Sequence, residues 1–323
     1  MLLLLLLKIY KLKEQEKIIL FDKIQGLYQA LGLPMNEMDM SGDFNIHNLM
    51  DIHAELPYKS PVFRADYFSF VFVKDGFGSY TTDNQVFKTE PGTIYFTNPG
   101  HLKAYEHLKI REIYIITLNE SFLKENVHPH IFDEFPFLLA ETVPPKTLNS
   151  EDFSEFENLY LQILKESRSA SLYKYRIIGN LFVVLLLKIK EYFWKEYNPI
   201  YEGNRSSQIV KTFKQTLEKH YRDLADGKEN SLFQVQDYAK VQSLHPNYLS
   251  NVIKTKTGKS ISTWITDKTI SEAKSLLKNS SISISEIAYQ LGFAESANFS
   301  NYFKKHTSLS PALYRKQNIE SKS

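Results

Sequence analysis

The feature that most constrains this chain is a repeat in its C-terminal third. Residues 235–254 recur as residues 284–304, with an offset of 49 residues before a turn and 50 after it. Each copy has the pattern of two short helices joined by a tight turn, with a small residue (Ala239 or Ala288) where the helices cross. The repeat therefore predicts two helix-turn-helix units.

The second helix of each copy has a polar face opposite an apolar one. In motifs of this kind the second helix enters the major groove, and its first residues meet base edges. The predicted DNA-binding residues are His245, Asn247, Ser250, Asn251 and Lys254 in the first copy, and Ser296, Asn298, Ser300, Asn301 and Lys304 in the second. Candidates for neutralising phosphates are Lys254, Lys256, Lys259, Lys304, Lys305 and Arg315.

The segment between the copies predicts how they would be spaced. Residues 261–279 have the pattern of one long helix, a rigid spacer that would let two units address major-groove segments about 34 Å apart. Four of the predicted contact residues are asparagines, which can pair bidentately with adenine, whereas arginine prefers guanine. We therefore expect adenines at the contacted positions; the alternative is that these asparagines are ordinary surface residues.

The stretch 231–316 closely resembles the AraC/XylS family of transcriptional regulators. The resemblance rests on Leu-His-Pro-Asn-Tyr-Leu-Ser at 244–250, Leu-Gly-Phe at 291–293 and Ser-Pro-Ala-Leu-Tyr-Arg at 310–315. It implies a sequence-specific DNA-binding regulator, usually an activator that contacts RNA polymerase. It also implies a cupin-like sensor domain for a small-molecule effector and a helical dimerisation region, hence a homodimer on promoter DNA. We expect no cofactor and no enzyme activity.

Three kinds of position depart from the family pattern. Thr269 stands where the family often has arginine, and Ser308 stands where it usually has glycine. Asn251 and Asn301 occupy positions that are frequently arginine in the family. These departures bear on the base and phosphate contacts rather than on the fold.

Charge and composition agree with a nucleic-acid partner for the C-terminal part. The net charge of +2 conceals a basic segment, since residues 205–323 hold 18 Lys and Arg and 10 Asp and Glu, a net +8, whereas residues 1–204 hold 21 and 27, a net −6. A basic segment of this kind favours a polyanionic partner. Cysteine is absent, which excludes disulfides, thiolate metal sites and cysteine nucleophiles and favours a cytoplasmic, reducing environment.

The first half of the chain predicts a β domain followed by helices, an α+β fold. Short β-branched and aromatic runs punctuated by Gly, Pro and Asn between residues 44 and 118 indicate a barrel or jelly roll. Residues 151–197 have the pattern of two amphipathic helices, which need a partner surface on the β domain or on a second copy.

The run of six leucines at the start is too short to span a membrane, and residues 12–31 have the pattern of one amphipathic helix. The predicted domains are a helical leader at 1–40, a cupin-like sensor domain at 41–148, a helical dimerisation region at 149–200, a linker at 201–207, a DNA-binding domain at 208–318 and a tail at 319–323.

Arg64 is the candidate effector-binding residue, because aromatic side chains flank it and its guanidinium could meet an anionic effector in the barrel mouth. An ion pair with Asp66 or Glu90 is the alternative. A cupin-type metalloenzyme or effector-binding protein with a fused helical module is the alternative function, and stoichiometric Fe, Mn or Zn would support the enzyme. The enzyme is disfavoured because the histidines of the first half lack the spacing of metal-binding cupins. Those in the β segment are His47, His53, His101 and His107, whereas His128 and His130 lie beyond the strands. A third hypothesis is a small-molecule or partner-binding protein whose helix-turn-helix units no longer bind DNA.

Overall fold

The computed structural model describes residues 18–33, 42–51, 55–83, 85–128, 130–139, 143–194, 205–279 and 281–320. The leucine-rich start, His53, most of the predicted linker and the last three residues lie outside the described residues. Strands occupy the first half of the described chain and helices the second half, so the predicted α+β class is confirmed. No helix in the described ranges is long and apolar enough to cross a membrane.

The strands of the described residues form one sheet around two long central strands. They are β1 (Ile19–Phe21), β2 (Phe44–Asn48), β3 (Tyr58–Lys59), β4 (Phe63–Ala65), β5 (Phe68–Thr82), β6 (Gln85–Thr89), β7 (Thr93–Thr97), β8 (Lys103–Leu118) and β9 (Lys146–Thr147). The main order is β1-β4-β8-β5-β7-β9, with β2 and β3 also pairing with β8, and β6 with β5. Register shifts between Val73 and Gly78 interrupt the β5–β8 pairing, and such bulges bend a sheet.

The two faces of the sheet bury different partners. Phe70 and Phe72 on β5 pack against the long helices α4 (Ser150–Ser167) and α5 (Lys174–Trp194), whereas Val71 points to the opposite face. The ring centroids of Phe70 and Phe182 on α5 are 5.0 Å apart. This alternation follows from the two-residue period of a strand. The β domain therefore covers the apolar faces of the two helices, which was one of the two predicted partner surfaces.

In the described residues, three shorter α-helices precede α4 and α5. They are α1 (Ile24–Ala30), α2 (Glu120–Phe122), which continues into a π-helical turn (Leu123–Val127), and α3 (Ile131–Glu134). We call the described residues 18–147 the β region.

The prediction of one helix over residues 12–31 is wrong in the described part. Residues 19–21 form strand β1, which pairs in parallel with β4, and the helix is confined to α1. A three-residue apolar run does not distinguish a strand from a helix, and the pairing with β4 decides the outcome. The predicted linker 201–207 also ends too late, because a helix begins at Arg205.

The described residues from 205 to 320, here called the C-terminal region, consist of seven helices and the segments that connect them. The helices are α6 (Arg205–Ala225), α7 (Val235–Val241), α8 (Pro246–Thr257), α9 (Ile261–Asn279), α10 (Ile284–Gln290), α11 (Ser296–Thr307) and α12 (Pro311–Glu320). They share one apolar core that is separate from the cores of the β region. The predicted spacer helix is confirmed as α9, and its 19 residues span about 28 Å at 1.5 Å per residue.

Candidate nucleic-acid interface

The repeat in the sequence is a repeat in structure. The first unit consists of α7 and α8 and the second unit of α10 and α11; the leading helices have seven residues each and the following helices twelve each. The leading helix of the second unit begins with a capping box, in which the Ser283 hydroxyl accepts from the Glu286 amide at 3.1 Å and the Glu286 carboxylate accepts from the Ser283 amide at 2.7 Å. The predicted helix-turn-helix duplication is thus confirmed.

The turns of the two units close in the same way. The amide of Leu244 donates to the carbonyl of Ala239, and the amide of Phe293 donates to the carbonyl of Ala288, each at 2.9 Å. Gly292 has φ 78°, in the left-handed region, and a Cβ there would lie 3.0 Å from the amide nitrogen of Leu232. Glycine fits this turn because both its backbone conformation and its surroundings disfavour a side chain.

The apolar faces of the second helices fill the core as the repeat predicts. The side chains of Leu249 and Ile253 on α8, like those of Phe299 and Phe303 on α11, are fully buried. The crossing alanines of both units are buried as well. Burial of these anchors fixes the rotation of each helix, so the polar residues must face outward.

The outward faces carry the predicted contact residues. Those exposed to solvent are His245, Asn247, Asn251 and Lys254 in the first unit, and Asn298, Asn301 and Lys304 in the second. Ser250, Ser296 and Ser300 are half-buried beside them. His245 also caps α8, because its Nδ1 accepts from the amide of Asn247 at 3.3 Å. That these side chains touch bases stays a prediction.

Some predicted phosphate contacts are engaged elsewhere in the protein. Lys259 is buried and its Nζ lies 2.7 Å from a carboxylate oxygen of Asp66 and 2.6 Å from one of Asp267. Arg315 donates through Nε to the carbonyl of Leu277 at 3.3 Å. Lys254, Lys304 and Lys305 are exposed. The departure at Thr269 has a structural partner too, since its hydroxyl lies 2.5 Å from that of Tyr221 in the core.

A largely buried ionic cluster joins the two regions, and no motif in the sequence predicts it. This junction cluster consists of Glu120 and Lys124 of the β region and Glu218, Lys268 and Glu272 of the C-terminal region. Both lysine side chains are almost fully buried. Burial lowers the pKa of Lys268, but the surrounding carboxylates outweigh this and hold its pKa well above the usual value. Beyond the cluster, Nζ of Lys278 on α9 lies 3.2 Å from Glu125.

The β region encloses an apolar cavity of about 730 Å³, its open mouth included. Its walls include Tyr28, Val71, Tyr95, Ile113 and Ile115. The polar atoms come from Ser69, Thr117 and His107, among others, and burial lowers the pKa of His107 to about 4, so this imidazole is neutral at pH 7.

Arg64 is not among the residues that line this cavity, so its predicted role as an effector contact is corrected. Phe63 lines the cavity, and the next residue along a strand points to the opposite side. The guanidinium of Arg64 therefore meets the C-terminal region, where it donates to the carbonyl of Thr255 at 3.0 Å.

The histidines of the β region have separate partners. The Tyr28 hydroxyl lies 3.0 Å from Nδ1 of His47, and Nδ1 of His101 lies 2.8 Å from Asp83. Among the described residues, no group of three or more His, Asp or Glu side chains is arranged to hold a metal ion.

Two helix-turn-helix units with buried apolar and exposed polar faces, placed behind a β region, define a class of DNA-binding regulator. A family model described as a helix-turn-helix domain matches residues 238–317. The chain is 27% identical to the arabinose operon regulatory protein of Escherichia coli over 243 residues, which cover 74% of this chain and 77% of that protein. It is 21% identical over 259 residues to the transcriptional activator RhaR of Yersinia pestis, covering 78% and 83% of the two chains.

Among solved structures, it is similar to the C-terminal domain of AraT, a response regulator from Geobacillus stearothermophilus. The identity is 31%, the match covers 35% of this chain and 88% of that domain, and the TM-score is 0.32. The family model and the two sequence matches, taken together, support a transcriptional regulator of the AraC/XylS family.

Proposed function

We propose that this regulator binds promoter DNA by placing α8 and α11 in two successive segments of the major groove. The observation that supports this most strongly is the matched pair of helices, each with buried anchors and an outward row of polar residues. The spacer α9 is about 28 Å long by its residue count, near the 34 Å or so of one turn of DNA. In this proposal Asn251 and Asn301 read adenines, and Lys254 and Lys304 neutralise phosphates.

The test is a selection of duplexes from a random library, followed by affinity measurements on the selected site. Replacing both Asn251 and Asn301 by alanine should weaken binding by at least tenfold, because each bidentate asparagine–adenine pair contributes about 1–3 kcal/mol of discrimination. The control is Asn230→Ala, an exposed asparagine in the loop before α7. Selected sites rich in G·C at the contacted positions, or equal affinities for the double variant and the control, would contradict the assignment.

The cavity supports the proposal that an uncharged, largely apolar effector controls the protein. Aromatic and aliphatic side chains dominate its walls, His107 is neutral at pH 7, and Arg64 faces away from it. The probes are indole, which is uncharged, and indole-3-carboxylate, which is an anion. A ligand that binds the folded state raises the midpoint of thermal unfolding, so the two probes are compared by this rise. We expect indole alone to raise the midpoint, and to raise it less in Val71→Trp, whose larger side chain occupies part of the cavity. A rise with the carboxylate alone would contradict this chemistry.

We further propose a homodimer formed through α5. Exposed Ile177, Val184 and Leu187 are spaced seven and three residues apart, which places them on one face of this helix, as in a coiled-coil seam. The double variant Val184→Glu with Leu187→Glu should then sediment as a monomer, whereas the wild type should sediment as a dimer.

We also propose that the protein activates transcription through RNA polymerase. The similar RhaR chain is named as a transcriptional activator, which supports this proposal. Transcription in vitro with and without the protein tests whether it activates or represses.

A further inference from the structure

Strand β4 contacts both the cavity and the first unit. Phe63 lines the cavity and is almost fully buried, whereas Arg64 lies on the opposite side of the strand. Asp66, directly after the strand, reaches the same opposite side and binds Lys259 at 2.7 Å. Neighbouring residues of one short strand thus connect the two places whose coupling a regulator needs.

Arg64 completes the C-terminal end of α8. The last four carbonyls of an α-helix have no partner within the helix. Here the amide of Gly258 covers the carbonyl of Lys254 at 2.9 Å, and the guanidinium of Arg64 donates to the carbonyls of Thr255, at 3.0 Å, and Lys256. A positive charge at this end of a helix is also favoured by the helix dipole. The cap of the first unit's second helix is therefore supplied by another region of the protein.

Gly258 gives Arg64 the space for this contact. It has φ 78°, and a Cβ at this position would lie 2.9 Å from Cδ of Arg64. The guanidinium also donates to the carbonyl of Gly100 on the loop before β8, which fixes it between two backbones. Arg64 is only 6% exposed, so water does not compete freely for these carbonyls.

The second unit has a different end. Ser308 takes the place of Gly258 after α11, with φ 64°, and its amide covers the carbonyl of Lys304 at 2.9 Å. Within the described residues, no hydrogen bond or ion pair joins α11 to the β region. The β region therefore holds one of the two DNA-reading helices directly.

We propose that Arg64 is a positioning residue for the first unit, through which strand β4 transmits the state of the cavity to α8 and not to α11. This inference rests on the proposed function. A molecule against Phe63 would displace β4, and Arg64 would carry the displacement to the end of α8. The β region would then change how tightly the first DNA segment is held while the second segment is read as before.

The experiment uses the full chain and a duplex that the wild type selects from a random library. Asn251→Ala and Asn301→Ala identify the segments read by α8 and α11, and each segment is then scrambled in turn. In Arg64→Ala, the loss of affinity on scrambling the α8 segment should be at least fivefold smaller than in the wild type. The loss on scrambling the α11 segment should stay within twofold of the wild type. Arg64→Lys should be intermediate, since an ammonium reaches fewer carbonyls than the fork of a guanidinium.

The control is Arg111→Ala, which removes an exposed arginine of β8 and should match the wild type on both segments. Equal changes on the two segments, or no change on either, would overturn the positioning role. A wild type that selects no duplex refutes the proposed function itself, and with it this inference.

A second measurement does not depend on DNA and covers the case in which Arg64→Ala folds poorly. Hydrogen exchange of the amides at 255–258 should speed up at least fivefold in Arg64→Lys, while the amides at 305–308 stay unchanged. Phe63→Leu should alter exchange at 255–258 in the wild-type background but not in the Arg64→Lys background. Additive effects of the two substitutions would overturn the transmission through β4.

Discussion

The two helix-turn-helix units agree in length, turn and core, and differ in what lies at the C-terminal ends of their second helices. The end of α8 is covered by Arg64 and lies beside the ion pair of Asp66 with Lys259, whereas α11 ends at the exposed Ser308. A duplicated motif keeps the same interior because each copy must bury the same anchors. The surface around each copy is free to differ, and here the β region contacts the end of α8 directly but not the end of α11.

The largest effect on this comparison should come from breaking the junction cluster. Lys268→Ala leaves the carboxylates of Glu218 and Glu272 buried with Lys124 as their remaining cation, and losing one partner of a buried ion pair costs about 3–5 kcal/mol. The unfolding free energy in urea measures the loss. Hydrogen exchange should then speed up more at the end of α8 than at the end of α11, because a loosened β region holds Arg64 less firmly against α8.

Its control is Lys228→Ala, which removes one partner of an exposed pair with Asp226. That variant should unfold at the wild-type urea concentration. A Lys268→Ala protein as stable as this control would show that the junction cluster contributes nothing.

The residues after the two helices should respond unequally to alanine. Gly258→Ala forces a side chain into the left-handed region and against Arg64, which should cost about 1–2 kcal/mol. Ser308→Ala starts from a residue that already has a Cβ, so its unfolding free energy should hardly change. Thermal and urea unfolding of both variants test this. Equal losses of unfolding free energy at the two positions would contradict the difference between the two helix ends.

A buried lysine beneath β4 offers a sharper test through pH. Lys103 on β8 pairs opposite Phe63, and burial lowers the pKa of its ammonium to about 7. Between pH 7 and about 10.5 the unfolded chain binds the additional proton, so stability rises with pH across this window. Lys103→Met should remove that rise and stabilise the protein at pH 7 by about 1 kcal/mol.

The control for this variant is Lys88→Met on the exposed face of β6. Thermal midpoints measured from pH 6 to 10.5 should have the same slope in this control as in the wild type. A wild-type midpoint that does not change over this range would contradict the lowered pKa of this buried amine.

The smallest effect should be on the salt dependence of DNA binding. Lys254→Ala and Lys304→Ala each remove an exposed cation from a predicted reading face, so each should reduce the slope of log K against log salt by about 0.9. Lys259→Ala should leave the slope unchanged, because Asp66 and Asp267 already neutralise that cation. A reduced slope in Lys259→Ala would mean that this lysine exchanges its carboxylates for phosphates on DNA.

Sequence reasoning succeeded where contacts are local. The repeat predicted both units, the buried anchors and the ends of α9, because periodicity and turn residues act over a few positions. It missed strand β1, whose pairing with β4 joins residues more than forty positions apart. It also assigned Arg64 to the cavity, because the aromatic neighbours of Arg64 suggested a pocket and nothing near it in sequence points to Thr255.

The junction cluster shows why such contacts resist prediction. Lysines and glutamates such as Lys124, Lys268 and Glu120 are usually solvent-exposed on helices, and only the packing of the two regions buries the two lysines and brings Glu120 against them. Lys259 was a candidate phosphate contact for the same reason, since a lysine after a helix is normally exposed. Charged residues become informative only once their partners from distant segments are known.

The way α9 is built sets a condition for grafting a foreign sensor onto these DNA-binding units. One side of this helix contributes Ala273 and Leu277 to the core, and the other side carries Lys268, Glu272 and Lys278 towards the β region. A chimera whose new sensor lacks acids and a lysine at matching positions would face a row of unmatched charges. Interchangeable modules in this protein would therefore need their docking surfaces transplanted together with the pocket.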